Sequence, residues 1–395
     1  MKEIRLHPGR EKRVLQGHRW IFSNEIADRL PEFEPGSWVD VRSAKGVPLG
    51  TGYINPRSLI AVRLMSPPGR EPDRDFLRRL IAEADALRTD LLYPGSTCYR
   101  AVYGESDGLP GLVVDRYGDV LVTQVTTLGM SLMENMVHEL LAERFHPRAV
   151  VSRNDSPVRT LEGLPLEKKV AHGELPGELW VEIDGIQLRV DPLEGQKTGL
   201  FLDQRDNRLA LRRWVKGKRV LDAFCYNGAW SLSAAAGGAA EVVGVDDSAL
   251  AVGQAEENAA RNGFGEICSF RQGEVFRFLR NAKKGGLDVV ILDPPAFART
   301  RNALPEAVKG YTDLNRRALL AMNPGNILVT CSCSYHMSGE MFLSAVLQAG
   351  KASGRQLKLL EMRGQALDHP SLLAMPETSY LKCAVLQVIQ AGSPG

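Results

Sequence analysis

The sequence predicts an α/β protein: a doubly wound, mostly parallel sheet over residues 186–395, preceded by a small β-barrel at 1–70 and a central α+β module at 73–185. Three observations carry this. In the C-terminal part, apolar strand-like runs alternate with stretches of helical spacing, the pattern of parallel strands covered on both faces. Three of the four clearest runs end in aspartate, at the strand ends beyond which open α/β sheets bind ligands. Upstream, Ser66-Pro67-Pro68-Gly69-Arg70-Glu71-Pro72 can continue neither a strand nor a helix, so it marks a domain boundary. With 395 residues, 44% hydrophobic and 24% charged, the chain can fill two or three cores.

The first segment is rich in β signals: Trp20-Ile21-Phe22, Ser37-Trp38-Val39-Asp40-Val41-Arg42, Pro48-Leu49-Gly50-Thr51-Gly52-Tyr53-Ile54 and Ile60-Ala61-Val62-Arg63-Leu64, punctuated by Pro35-Gly36, Lys45-Gly46 and Asn55-Pro56. After the linker, Phe76, Leu77, Leu80, Ile81, Ala84 and Leu87 recur at helical spacing. Strands are expected around 99–103, 111–115 and 120–125, and a second helix near 130–145. The C-terminal strands are Arg219-Val220-Leu221-Asp222, Glu241-Val242-Val243-Gly244-Val245-Asp246, a run at 267–270, Asp288-Val289-Val290-Ile291-Leu292-Asp293 and a run at 326–331. Helices are expected at 230–236, 249–262, 275–282 and 313–322.

Composition excludes disordered and fibrous classes. Met1-Lys2-Glu3-Ile4-Arg5 lacks the apolar core of a signal peptide, and no run approaches the ~20 apolar residues that span a bilayer, so a cytoplasmic protein with no membrane partner is expected. Cys98, Cys225, Cys268, Cys331, Cys333 and Cys383 form neither a Cys-x-x-Cys pair nor a Cys/His cluster, which argues against disulfides and a metal site. Net charge is only +2, but residues 1–70 hold twelve Lys/Arg against seven Asp/Glu, +5, leaving −3 for the rest. A basic N-terminal surface suits phosphates, although an ordinary solvated surface gives the same count.

Asp222-Ala223-Phe224-Cys225-Tyr226-Asn227-Gly228 follows the first C-terminal strand, and Asp246 ends the next strand 18 positions after Gly228. A tight turn followed by an acid for ribose hydroxyls is what a nucleotide site in this fold needs. One glycine in place of Gly-x-Gly-x-x-Gly is a poor cradle for pyrophosphate, which favours S-adenosylmethionine over NAD or ATP. No Walker-type motif supports phosphoryl transfer. The expected cofactor contacts are Asp222, Phe224, Tyr226, Asn227, Gly228 and Asp246, with Glu274 near the adenine amino group. Each acid taken singly reads equally well as a helix cap.

Asp293-Pro294-Pro295-Ala296-Phe297 ends the fourth strand, placing an aspartate where a base edge enters, with Phe297 to pack on the base face. Asp293 and Pro294 also border the expected cofactor site. Turns of this kind occur in enzymes that methylate exocyclic nitrogens, so the turn alone leaves the acceptor open. Cys333, forty positions beyond Asp293 in Thr330-Cys331-Ser332-Cys333-Ser334, is the discriminating residue. A nitrogen acceptor has its own lone pair, whereas carbon 5 of a pyrimidine reacts only after a nucleophile adds at carbon 6. Taken alone, both cysteines read as small buried hydrophobes.

These motifs, with the segment beginning Gly104-Glu105-Ser106-Asp107-Gly108 and running to Gly118, the run Lys197-Thr198-Gly199-Leu200-Phe201-Leu202-Asp203-Gln204-Arg205, and the tail Asp368-His369-Pro370 with Pro376-Glu377-Thr378, resemble the RlmI family of large-subunit ribosomal RNA cytosine-5 methyltransferases over nearly the full length. The resemblance implies an N-terminal PUA domain, a central α+β domain and a Rossmann-like class I methyltransferase domain. It implies Cys333 as nucleophile, Cys331 as non-catalytic and Gln204 as a contact for the methionine moiety of the cofactor, although Asp203-Gln204-Arg205 reads equally as an ordinary helix start; Asp293, hydrogen-bonding ring nitrogen 3 of the base, is the expected second catalytic residue. Large-subunit ribosomal RNA is the implied partner; a homodimer is neither required nor excluded. Two departures stand out. Ala296 and Phe297 occupy the place where many RNA cytosine-5 methyltransferases carry a second cysteine, so product release needs another base or water. Lys382 stands at the spacing where uridine enzymes place a glutamate, which favours cytosine over uracil. The rivals are guanine-nitrogen methylation, a non-catalytic RNA-binding assembly factor and, more distantly, a NAD-dependent enzyme.

Overall fold

A computed structural model describes residues 1–298 and 300–390, and the chain divides into two compact units. The first comprises Met1–Val181, Val190–Leu202 and Leu367–Thr378. It opens with a five-stranded sheet of β1 (Lys2–Arg5), β2 (Trp20–Phe22), β3 (Trp38–Arg42), β4 (Pro48–Ile54) and β5 (Ile60–Ser66), in the order β1-β3-β4-β5-β2. Ile4, Ile21, Val39, Val41, Ile54 and Val62 fill its core. β1 was not expected: four residues, only one of them buried, give too little alternation to stand out, and parallel pairing with β3 is what fixes it.

The same unit carries a second sheet, β6 (Cys98–Tyr103), β7 (Leu112–Tyr117), β8 (Val120–Val125), β9 (Ala149–Asn154) and β10 (Glu167–Gly173), ordered β10-β9-β8-β7-β6. Helices Arg74–Ala86 and Glu134–Phe145 contribute Phe76, Leu77, Ile81, Val137 and Leu140 to its core. Asp73 starts the first helix, its side chain accepting from Phe76 N at 2.8 Å. The acids of the 104–118 segment are used structurally. Arg100 Nε and Nη2 reach the two oxygens of Asp115, both at 2.8 Å, and Arg88 forks onto Asp107 at 2.7 and 2.9 Å.

A hairpin of β11 (Leu179–Ile183) and β12 (Ile186–Val190) leads into the second unit, which comprises Glu182–Arg189, Asp203–Ala366 and the chain from Ser379. Its sheet holds β13 (Arg219–Ala223), β14 (Glu241–Asp246), β15 (Cys268–Gln272), β16 (Leu287–Leu292), β17 (Met322–Ser332), β18 (Arg355–Arg363) and β19 (Lys382–Gln390), ordered β15-β14-β13-β16-β17-β19-β18. The first five strands are parallel; β19 runs antiparallel to β17 and β18 antiparallel to β19. The α/β expectation is met. The chain winds outward from β13 to β15 and then returns to the other side of β13, so the switch point lies between β13 and β16, whose ends carry Asp222 and Asp293. Leu221, Val290, Leu292, Leu314, Leu328 and Phe342 form the buried core. Among the described residues no helix is long and apolar enough to cross a membrane.

Candidate active site

The loop after β13 is strained. Phe224 and Tyr226 adopt left-handed backbone, φ +66° and +48°, as does Gly228 at +80°. Only the last is glycine, and each of the other two costs roughly 1–3 kcal/mol, strain of the kind that collects where a ligand is gripped. Asp222 sets the loop's far end: it is fully buried, and its Oδ2 accepts from Ser231 N at 2.9 Å and from Ser231 Oγ at 2.7 Å, capping helix Ala229–Ala236. Burial first, then the charges of Asp293 and Asp246, push its carboxyl up to about 7 against the pull of Ser231.

Among the described residues, two polar atoms here are buried without partners, Asp222 Oδ1 and Asn227 Nδ2. One accepts and the other donates, a pair that fits a ligand bearing both an ammonium and a carboxylate, as the methionine end of S-adenosylmethionine does. Asp246 closes the loop from β14, its Oδ2 accepting from Tyr226 N at 2.9 Å and its Oδ1 from Ser248 N at 3.0 Å. Each carboxylate oxygen keeps a second lone pair for a ribose hydroxyl. Glu274 is exposed and caps helix Val275–Asn281, accepting from Arg277 N at 3.1 Å. The cap reading of that acid is realised in the structure.

At the end of β16 both oxygens of Asp293 are engaged: Oδ1 accepts from Gln204 Nε2 at 3.0 Å and Oδ2 from Trp230 Nε1 at 2.9 Å. Gln204 is itself held, its Oε1 accepting from Asn207 Nδ2 at 2.7 Å. Pro294 is buried beside Asp293. Cys333 leaves β17 one residue past the strand, and its Sγ lies 3.9 Å from Pro294 O, so the Pro-Pro turn and the cysteine meet. Cys333 is half-buried, whereas the other five cysteines are buried. The Cys331 thiol is pushed well up by burial and then by its cross-strand partner Cys383.

Phe297 packs on Tyr311, ring centroids 4.6 Å apart. Tyr311 and Ala298 tie the cysteine loop down: Ser334 Oγ accepts from Ala298 N at 3.2 Å and lies 3.1 Å from Tyr311 Oη. The structure thus joins Gln204, Asp293, Pro294 and Cys333 through direct contacts, and Asp222, Tyr226 and Asp246 around the neighbouring loop. Sequence reasoning missed Trp230 and Tyr311. Trp230 lies two positions after Gly228, inside a helical run where an aromatic reads as core, and Tyr311 precedes the expected start of its helix.

Residues 4–67 match the model of a PUA-like domain, and 151–363 that of an S-adenosylmethionine-dependent methyltransferase. The chain is 42% identical over 392 residues to ribosomal RNA large subunit methyltransferase I of Shewanella denitrificans, covering 98% of this chain and 99% of the relative. The protein of that name from Vibrio cholerae is 39% identical over 393 residues, covering 97% of this chain and 99% of the relative. Among solved structures, a putative methyltransferase from Streptococcus mutans superposes with a TM-score of 0.83 at 20% identity, covering 98% of this chain and 100% of the other. A putative methyltransferase complexed with SAH superposes at 0.85, also at 20% identity with 98% and 100% covered.

Proposed function

Because the chain belongs to the ribosomal RNA large subunit methyltransferase I family and carries an S-adenosylmethionine-dependent methyltransferase domain, we propose that it methylates carbon 5 of a cytidine in large-subunit ribosomal RNA through a covalent cysteine adduct. The observation that carries this reading is the half-buried Cys333 thiol, 3.9 Å from the carbonyl of Pro294 and so beside the Asp293 turn. A nitrogen acceptor has no use for a nucleophile there.

Cys333, as thiolate, adds to carbon 6 of a flipped or unpaired cytidine, and the electrons of the 5,6 double bond move toward carbon 5 and ring nitrogen 3. Asp293, protonated or sharing a proton, hydrogen-bonds nitrogen 3 where charge develops, its orientation fixed by Gln204 and Trp230. S-adenosylmethionine supplies the electrophilic methyl group. Loss of the carbon 5 proton to a base then restores the double bond and expels Cys333 as thiolate. Asp222, Phe224, Tyr226, Asn227, Gly228, Asp246 and Glu274 would hold the cofactor, together with Gln204, Asp293 and Pro294. The basic segment 1–70 docks RNA, 73–185 supplies the second sheet of the same unit, the chemistry lies within 186–395, and the protein acts in the cytoplasm.

The test is nucleoside mass spectrometry of ribosomal RNA, naked and in particles, after incubation with labelled S-adenosylmethionine. Labelled 5-methylcytidine that disappears with Cys333→Ala and persists with Cys331→Ala is expected. Label on guanosine, or 5-methylcytidine still made by Cys333→Ala, sinks the assignment.

A further inference from the structure

Ser332, the last residue of β17, is directly opposite Lys382, the first residue of β19, so the lysine sits across the strand pair from the point where Cys333 emerges. Lys382 is only 8% exposed. Its Nζ donates to Ser334 O at 2.7 Å and to Tyr380 O at 2.7 Å, bridging the residue after Cys333 to the segment that enters β19. Among the described residues no carboxylate lies within ion-pair distance of this amine. A buried ammonium that meets only neutral carbonyls is poorly compensated and gains from a nearby anion. Burial pulls the Lys382 pKa down to about 8, and negative charge at Cys333 is what pulls it back up. The attraction is reciprocal: an ammonium that a thiolate stabilises also stabilises that thiolate.

Among the other ionisable groups on the elements packed here, Tyr311, Cys331, Cys383 and Asp293 cannot fill that role. Tyr311, from helix Leu304–Ala321, is held in its neutral form first by burial and then by negative charge at Cys333. Cys331 is likewise held neutral by burial, and its cross-strand partner Cys383 is buried. Asp293, next to Pro294 on the neighbouring turn, disfavours a second negative charge close by. His336 lies three residues beyond Cys333 on the same loop.

Building on the function proposed above, we propose that Lys382 is a positioning residue for Cys333: it grips the carbonyls of Ser334 and Tyr380 to fix the loop that aims the thiol, and its ammonium stabilises the thiolate. An ammonium engaged in this way keeps its proton. The carbon 5 proton therefore goes to a different acceptor, and the two roles for Lys382 exclude each other.

The experiment measures the rate at which iodoacetamide alkylates Cys333 between pH 6 and 10, followed by peptide mass spectrometry, in wild type, Lys382→Met and Lys382→Arg. The expected result is an alkylation pKa at least one unit higher in Lys382→Met, hence about tenfold slower labelling at pH 7, with Lys382→Arg restoring most of the rate. Superimposable wild-type and Lys382→Met profiles overturn the proposal. So does a covalent RNA adduct that accumulates in Lys382→Met, since that marks a lost proton acceptor. Cofactor binding by calorimetry reports whether the variants fold. Should Lys382→Met fail it, Lys382→Gln is compared with Lys382→Arg instead, and superimposable alkylation profiles for that pair overturn the proposal. The alkylation readout needs no RNA, so failure of this proposal is distinguishable from failure of the cytosine assignment.

Discussion

The indole of Trp230 donates to Asp293 Oδ2 at 2.9 Å, tying the first turn of helix Ala229–Ala236 to the Asp293-Pro294-Pro295 turn. The two halves of the second unit's site, one built on β13 and the other on β16, are thereby held in one geometry at the strand switch point. Because both oxygens of Asp293 have side-chain donors, its orientation is set before any ligand arrives.

Trp230→Phe keeps most of the buried aromatic volume and removes this donor. A hydrogen bond to a charged group contributes about 1.5–3 kcal/mol, so kcat/KM for RNA methylation is expected to fall roughly tenfold to a hundredfold. Cofactor affinity should change far less. Steady-state kinetics with calorimetric cofactor titration checks this; an equal loss in both would place Trp230 in the cofactor site instead.

Gly228→Ala probes the strained loop. At φ +80° an added Cβ would lie 3.0 Å from Ala255 Cβ and 3.0 Å from Phe270 Cε1. Gly263 is the control: its φ is +72°, and a Cβ added there would meet nothing within 4 Å. Both alanines carry the left-handed penalty of about 1–2 kcal/mol, but only Gly228→Ala adds crowding and displaces the loop. Thermal unfolding should therefore fall further for Gly228→Ala, and only that variant should lose cofactor affinity.

The legible parts of this fold were those with strong local periodicity. Asp222, Asp246 and Asp293 each close an apolar run, so strand and acid were read together, and the structure places all three at the ends of parallel neighbours. β17 was expected from 326 but begins at Met322, because Pro324-Gly325 breaks the pattern while the strand continues through a register shift against β16. Helix Leu304–Ala321 was expected only from 313, since Pro305 looks like a breaker but sits in the first turn, where a missing N–H costs nothing. β18 exposes Leu359, Leu360 and Met362, so its apolar residues follow no inward face that a periodicity argument could detect. Partners distant in sequence were the least visible: nothing local links Gln204 to Asp293, or Lys382 to Ser334.

The buried Lys382 makes stability depend on pH in a window that can be stated. Its pKa falls from 10.5 to about 8, so between those values the unfolded chain holds a proton that the folded protein has released. Stability therefore rises as pH increases through that window, by roughly 3 kcal/mol at most. Lys382→Met has no such group. The stability of wild type relative to Lys382→Met, from denaturant unfolding at pH 7.5 and pH 10, should grow in favour of wild type; a constant difference would mean that Lys382 titrates as an ordinary lysine.

Asp222 gives the opposite slope lower on the scale. With its carboxyl raised from 3.8 to about 7, chiefly by burial, the folded protein holds a proton that the unfolded chain has lost. Its stabilising contribution is complete below about pH 4 and disappears as pH rises through 7, a change of roughly 4 kcal/mol as an upper bound. Asp222→Asn removes the titration, keeps an oxygen for Ser231 and turns the orphaned Oδ1 side into an amide donor, at a pH-independent cost of about 1–3 kcal/mol. Denaturant unfolding at pH 5 and pH 8 should therefore show the variant gaining on wild type as pH rises. Cofactor binding separates this from mere repacking: if Asp222 Oδ1 receives the ammonium of the methionine moiety, Asp222→Asn weakens affinity at pH 8, where wild type is charged, more than at pH 5, where both are neutral.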